Sequence, residues 1–242
     1  METRTDEIVN GIYRLSTFVP EVAPPHGLTF NQFLVMAEEP LLFHCGHRRM
    51  FAAISAAVAE LVPLERLRWL TFSHVEADEC GALNEWLAAA PNATVAHGAI
   101  GCNIWLRDAA TRAPRVLADS EVLDLGGKRI RRIDTPHLPL GWDAGLLFEE
   151  TTATLLCSDI FAHTGDPAPM TSGDILQPAI DTEERTRAIS LTATTAPTLR
   201  RLAGLRPRTL GLMHGSSFDG DAAGALDALA GHFERQLRSA LG

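Results

Sequence analysis

His74, Glu76 and Asp78 occupy alternate positions in Thr71-Phe-Ser-His-Val-Glu-Ala-Asp-Glu-Cys80, directly after the apolar run Leu67 to Phe72. A strand sends alternate side chains to one face, and a tight loop leaving a strand gathers the same three groups. Either way one imidazole and two carboxylates converge on a small volume. Burying carboxylates without compensation is costly, so the arrangement calls for a cation. Three more groups of the same chemistry follow apolar runs further along. His137 comes after Lys128 to Asp134, Asp159 after Thr154 to Ser158, and His214 after Thr209 to Met213. One histidine at a strand end is ordinarily a loop residue. Four segments that all deliver His, Asp or Glu from strand ends point to a metal centre.

The elements that must position these groups can be read coarsely. Residues 8–17 and 32–43 read as strands, 48–61 as a helix packed through Ala and Val, and 67–72 as a buried strand. A helix from 79 to 90 follows, then a short strand at 95–96 and a short helix at 100–107. Strands are expected at 115–117, 120–124 and 128–133, with Gly126-Gly127 as a hairpin signal, and at 144–149 and 153–158. Asp181 with Glu184 three residues on reads as a capping box for one long helix, 181–203. A strand at 208–212 and a helix at 221–240 close the series. Strands, helix, strands, helix, strand, helix predicts an α/β sandwich: two mixed sheets flanked by helices.

Composition narrows the function classes. The 242 residues suit one domain over 1–242, with 46% hydrophobic and 21% charged residues. A formal net charge of −9 argues against a nucleic-acid-binding surface, which needs clustered Lys and Arg. No apolar stretch is long enough to span a bilayer and the first residues carry no secretory signal, so a cytoplasmic protein without a membrane is expected. The cysteines, Cys45, Cys80, Cys102 and Cys157, form no Cys-x-x-Cys pair, which removes a zinc ribbon or rubredoxin site.

The set His-x-Glu-x-Asp, His137, Asp159 and His214, in that order, resembles the metallo-β-lactamase fold, an αββα sandwich with metals at its strand-edge loops. Within that fold it is similar to the di-iron branch, flavodiiron proteins and stand-alone oxygen-binding di-iron proteins, and differs from the zinc-hydrolase pattern His-x-His-x-Asp-His. The resemblance implies that His74, Glu76 and His137 bind one metal, that Asp78 and His214 bind the other, and that Asp159 bridges them. It implies two Fe ions, with Mn or Zn as substitutes, under a hydroxo, oxo or peroxo bridge. The ligands agree: carboxylate oxygens in place of imidazole favour harder, redox-active ions over zinc.

Where many flavodiiron proteins have His, position 79 is Glu. It starts a helix near the positive end of its dipole, or serves the site as an acceptor or added ligand. His26, in Pro24-Pro-His-Gly-Leu-Thr-Phe-Asn31, resembles the segment that places a histidine beside the diatomic ligand. His26 and Glu79 are thus the candidates for roles beyond metal ligation. Trp142, Asp143, His44, His47 and His163 are weaker candidates for pocket or metal roles. The resemblance implies O₂ or NO as the ligand, bound by an oxygen binder or sensor or reduced by an oxidoreductase. No flavin loop, flavodoxin or rubredoxin domain is read in the chain, so electrons are expected from a separate redox partner, and a homodimer is compatible. The competing reading is a dinuclear hydrolase of an ester, thioester or phosphodiester, with a metal-bound hydroxide as nucleophile.

Overall fold

A computed structural model describes residues 1–241. Two seven-stranded sheets lie face to face. The first contains β1 (Thr3–Val9), β2 (Ile12–Val19), β3 (Leu28–Val35), β4 (Leu41–Phe43), β5 (Trp69–Thr71), β6 (Thr94–Gly98) and β7 (Arg115–Leu117), in that spatial order. The second contains β8 (Val122–Asp124), β9 (Arg129–Asp134), β10 (Gly145–Glu149), β11 (Thr154–Leu156), β12 (Met170–Thr171), β13 (Thr209–Gly211) and β14 (Ser217–Phe218). Its spatial order is β12-β14-β13-β11-β10-β9-β8. Both sheets are mixed: β4 to β7 run parallel and so do β11 and β13, while β1 to β4 and β8 to β11 pair antiparallel.

Side-chain alternation explains the layering. In β3 and β4, Phe33, Val35, Leu41 and Phe43 face the second sheet and meet Ile130, Leu147 and Leu156. Their neighbours Leu34 and Leu42 face outward and join Ile54, Val58 and Trp86 of the helices α1 (Phe51–Leu61) and α3 (Leu83–Ala89). Between these helices in the chain lies α2 (Ala77–Cys80), one turn long. On the far side, Leu146, Phe148, Leu155 and Leu210 pack against Leu199, Leu226, Leu229 and Phe233. A strand covered on both faces must be apolar on both, so these strands read as runs rather than as alternation. Three apolar layers between and outside two sheets make the αββα sandwich.

The helical segment after β6 is α4 (Ala99–Gly101), a π-helical turn at Cys102–Leu106 and α5 (Arg107–Ala109). The outer helices on the second sheet are α6 (Leu176–Thr186), α7 (Thr195–Ala203) and α8 (Ala222–Leu241). No described helix is long and apolar enough to cross a membrane.

Several boundaries differ from the sequence reading. The single strand at 8–17 is a hairpin, β1 and β2, turning at Asn10-Gly11 with Gly11 at φ +73°. The polar Thr-Arg-Thr-Asp-Glu strand has no apolar alternation because its side chains are only half buried at the sheet edge. The strand 32–43 is two strands, broken at 36–40 around Glu38-Glu39-Pro40. The helix 79–90 is the one-turn α2 followed by α3. The long helix 181–203 is also two. Asp181 lies inside α6, whose first amides at Leu176 and Gln177 are capped by the Asp174 carboxylate instead. Arg187, at φ +50°, ends α6 in the left-handed region, and Glu183 accepts the Ile189 amide across the break. Ser190 then donates its amide to the Pro139 carbonyl, so a tertiary contact, invisible to local propensity, holds the interruption open.

Candidate metal centre

The four segments singled out by chemistry leave the ends of β5, β9, β11 and β13, one from the first sheet and three from the second. Three of them converge. His74 Nε2 lies 3.1 Å from Glu76 Oε2, 3.7 Å from Asp159 Oδ2 and 3.8 Å from Glu79 Oε1. His214 Nε2 lies 3.4 Å from Asp78 Oδ2 and 3.2 Å from Asp159 Oδ1. Asp159 therefore offers one oxygen to each imidazole, and the two histidines come from different sheets. His74, Glu76 and Glu79 present ligand atoms all within 4.8 Å of one another.

Proton placement is fixed on the far sides of the rings. His214 Nδ1 is 2.7 Å from the Thr29 carbonyl oxygen, which can only accept, so Nδ1 carries the hydrogen and Nε2 faces the carboxylates. His74 Nδ1 is 3.0 Å from Ser73 Oγ. Among the protein's own groups, the carboxylates favour the protonated form of both rings. Burial opposes the charge on His214, yet Asp159 and Asp78 raise its pKa to about 10. Burial likewise opposes charge on His74, and Glu76 and then Asp159 raise it. Asp78 is held well below the carboxylate range, burial being outweighed by the hydrogen bond and charge of His214. Asp159 is lowered in the same way.

Glu79 is the anomaly. It is 1% exposed, on α2, and neither carboxylate oxygen has a hydrogen-bond partner. Burial first, then the charges of Asp159 and Asp78, push its carboxyl well above the usual range. Glu79 does lie in the first turn of a helix, α2, and its carboxylate is also turned inward, to the same volume as His74 and Glu76. A buried carboxylate with no hydrogen-bond partner, among other carboxylates, fits a cation as its partner. The donor set of imidazole nitrogen and carboxylate oxygen fits a hard or borderline transition ion.

The structure does not bring His137 into the cluster. It is exposed, at φ +66°, with its amide bonded to the Gly141 carbonyl at 2.6 Å and no ion pair or hydrogen bond on its ring among the described residues. Its loop does border the site, since a Cβ on Gly141 would stand 3.9 Å from His74 Cβ. His26 is also exposed. It lines a groove of about 300 Å³ with His163, Asp181 and Arg185, and its ring contacts none of the clustered carboxylates.

The weaker candidates have structural roles. Asp143 accepts the Val75 amide at 3.1 Å and so shapes the His-x-Glu loop, while Trp142 stands 56% exposed beside it. His163 donates Nδ1–H to the Phe161 carbonyl and accepts the Ser216 amide at Nε2, leaving no free lone pair for a metal. Gly215, at φ +101° directly after His214, has to be glycine because a Cβ there would lie 2.2 Å from the His163 ring. Asn31 supports the His214 loop through bonds to the Leu212 and Gly215 carbonyls. His47 rests edge-on against Phe30. His44 and Ser73 were not legible as partners, because β4 and β5 join only through parallel pairing.

Comparison with known proteins places this geometry. The chain is 30% identical over 141 residues to a diflavin flavoprotein A 2 of Synechocystis sp., and 24% identical over 171 residues to diflavin flavoprotein A 1 of the same organism. It spans only 24% and 30% of those relatives' lengths. The fold superimposes on rubredoxin oxygen:oxidoreductase from Desulfovibrio gigas with a TM-score of 0.80 at 17% identity, covering 94% of this chain and 61% of that one. The flavodiiron protein from Giardia intestinalis gives 0.81 at 17% identity, covering 96% and 60%. Residues 28–183, which include His74 through Asp159, match the family described as ODP family beta lactamase, and the chain belongs to that family.

Proposed function

We propose that this chain is a non-haem di-iron protein that binds O₂ or NO. The observation that carries the reading is the pair of imidazoles, from separate sheets, facing carboxylates that share Asp159, with the unpartnered Glu79 buried beside them. His74 and Glu76 would hold one ion, Asp78 and His214 the other, and Asp159 would bridge them. Glu79 joins the first group as an added ligand, and His137 is the remaining member taken from the sequence. Family membership and the diflavin and flavodiiron relatives support iron and redox chemistry over hydrolysis, for which no feature of the site speaks. When bound, two ferrous ions can supply two electrons to a diatomic gas.

The chain's own residues would tune that site. With Glu79 ionised, four carboxylates balance two divalent ions without a further anion. The fixed Nδ1–H of His214 keeps Nε2 available as a ligand and raises its donor strength. His26 lies on the groove beside the His214 segment and would act on whatever enters from there. Turnover beyond two electrons needs a flavin or other redox partner, which the relatives' name suggests. A chain that only binds the gas needs none.

Purification without oxygen, followed by metal analysis and visible spectra before and after air, tests the proposal. Two irons per chain and a new visible band on oxygenation are expected. A colourless, air-insensitive protein that contains zinc and hydrolyses esters would overturn it.

A further inference from the structure

The residues immediately before His74, Asp159 and His214 take part in one interior chain. Ser73 precedes His74, Ser158 precedes Asp159, and Met213 precedes His214. Ser73 Oγ is 2.7 Å from Ser158 Oγ and 3.0 Å from His74 Nδ1. His44 links this pair to the third segment: its Nε2 is 3.2 Å from Ser73 Oγ and its Nδ1 is 2.8 Å from Met213 Sδ. His44, Ser73, Ser158 and Met213 are all 0% exposed. The ring of His44 stacks on Phe43 at 4.0 Å, and its amide donates to the Thr71 carbonyl at 2.8 Å. His44 and Ser158 both sit at positive φ, +70° and +52°. Non-glycine residues keep such conformations only where their surroundings impose them.

We propose that His44 is a positioning residue: through Ser73 it fixes which nitrogen of His74 faces the metal centre, and it ties the three ligand-bearing strand ends together. This rests on the reading of His74 as a metal ligand.

Donor counting gives the direction. A thioether sulfur has no proton to give, so Nδ1 of His44 must carry the hydrogen that points at Met213. Complete burial outweighs the charges of Asp159 and Asp78 and keeps His44 neutral, dropping its pKa to about 3. Nε2 is then an acceptor, and the only hydrogen available to it is that of Ser73 Oγ. Having given its proton to His44, Ser73 can only accept from its other neighbours. It accepts from His74 Nδ1–H and from Ser158 Oγ–H, which lies 2.7 Å from Ser73 Oγ and at a longer 3.3 Å from its other acceptor, Asp159 Oδ2. His74 therefore keeps its hydrogen on Nδ1, and its Nε2 lone pair points to Glu76, Glu79 and Asp159. The opposite tautomer of His44 would place a nitrogen lone pair against sulfur at 2.8 Å. The sulfur next to His214 thereby sets the proton on His74, so the two halves of the site are assembled as a unit.

The test uses the full chain with ¹⁵N-labelled histidine, zinc(II) as a diamagnetic probe, and the variants His44→Leu, His44→Gln and Ser73→Ala. Two-bond ¹⁵N–¹H correlations assign the His74 tautomer, and competition with a chelator gives the zinc affinity. His74 should be an Nδ1–H tautomer in the parent protein. His44→Leu and Ser73→Ala should weaken zinc binding by about 10- to 100-fold, the range for outer-sphere partners, and mix the tautomers. His44→Gln, whose side-chain oxygen can accept from Ser73, should stay closer to the parent than His44→Leu. Parent-like tautomer and affinity in both His44→Leu and Ser73→Ala would overturn the proposal. If His44→Leu fails to fold, Ser73→Ala decides. If the parent binds neither zinc(II) nor Fe(II), the di-iron reading fails separately, and the tautomer of metal-free His74 at alkaline pH still decides: Nδ1–H upholds the pin, Nε2–H refutes it.

Discussion

Replacing Glu79 by Leu should stabilise the metal-free protein and reduce the stability it gains from metal. In the metal-free protein this side chain is 1% exposed and both oxygens lack partners. An unsatisfied buried polar group costs about 1–3 kcal/mol, so its removal should stabilise the metal-free fold by that amount. For a domain of this size each kcal/mol moves Tm by about 2–4 °C, which gives a rise of about 2–12 °C. The pH dependence has a definite sign. The folded carboxyl titrates above its ordinary value of 4.5, so between the two values the folded state binds more protons than the unfolded. The penalty is absent below the unfolded value and grows as pH rises, so the stabilisation by Leu should shrink towards pH 4. Metal opposes that gain, and reverses the order where the penalty is below about 2.3 kcal/mol. At a metal concentration of 100 Kd the parent gains about 2.7 kcal/mol, whereas a variant bound about 100-fold more weakly gains only about 0.4. Thermal melts with chelator and with Fe(II) under nitrogen, at several pH values, measure both halves. A Glu79→Leu protein that is less stable without metal, or gains as much from metal as the parent does, would refute the assignment of Glu79 as an unpartnered ligand.

Other substitutions separate the remaining roles. Asp159→Asn should lower occupancy of both ions together, and loss of one alone, by metal analysis, would end its bridging role. Glu76→His should move metal preference from iron towards zinc, and unchanged iron content would show that carboxylate hardness does not set the choice. His137→Ala should leave the fold intact, since the side chain is exposed, while lowering metal affinity; unchanged binding removes His137 from the ligand set. In the metal-free protein, His214 is charged up to about pH 10 against 6.5 for an ordinary histidine. The stability it shares with Asp78 and Asp159 is thus fully present below 6.5 and should be lost as pH rises through 10, which His214→Gln melts would show by losing that step.

The sequence determined which residue types could carry the proposed chemistry and where in the chain they fall. Spacing of two in His-x-Glu-x-Asp, and His, Asp and His each following an apolar run, put the ligands at strand ends, because buried strands must be apolar and polar ligands can appear only where they stop. The same runs predicted sheets covered on both faces and hence the sandwich. What sequence could not determine was orientation. Glu79 adjoins Asp78 in the chain and reads as easily as a helix-start residue; only the packing of α2 under β4, where the Cys45 amide takes the Glu79 carbonyl, turns its carboxylate inward. His137 reads as well as His74 does, but the turn closed on Gly141 leaves it exposed. The division of 181–203 into two helices depends on a contact with Pro139, and the pairing of His44 with Ser73 and Met213 depends on strands brought together from three parts of the chain. Local pattern records which residues are buried and which can ligate. Which atoms face one another is decided by contacts between segments far apart in sequence, and those exist only once the two sheets have closed.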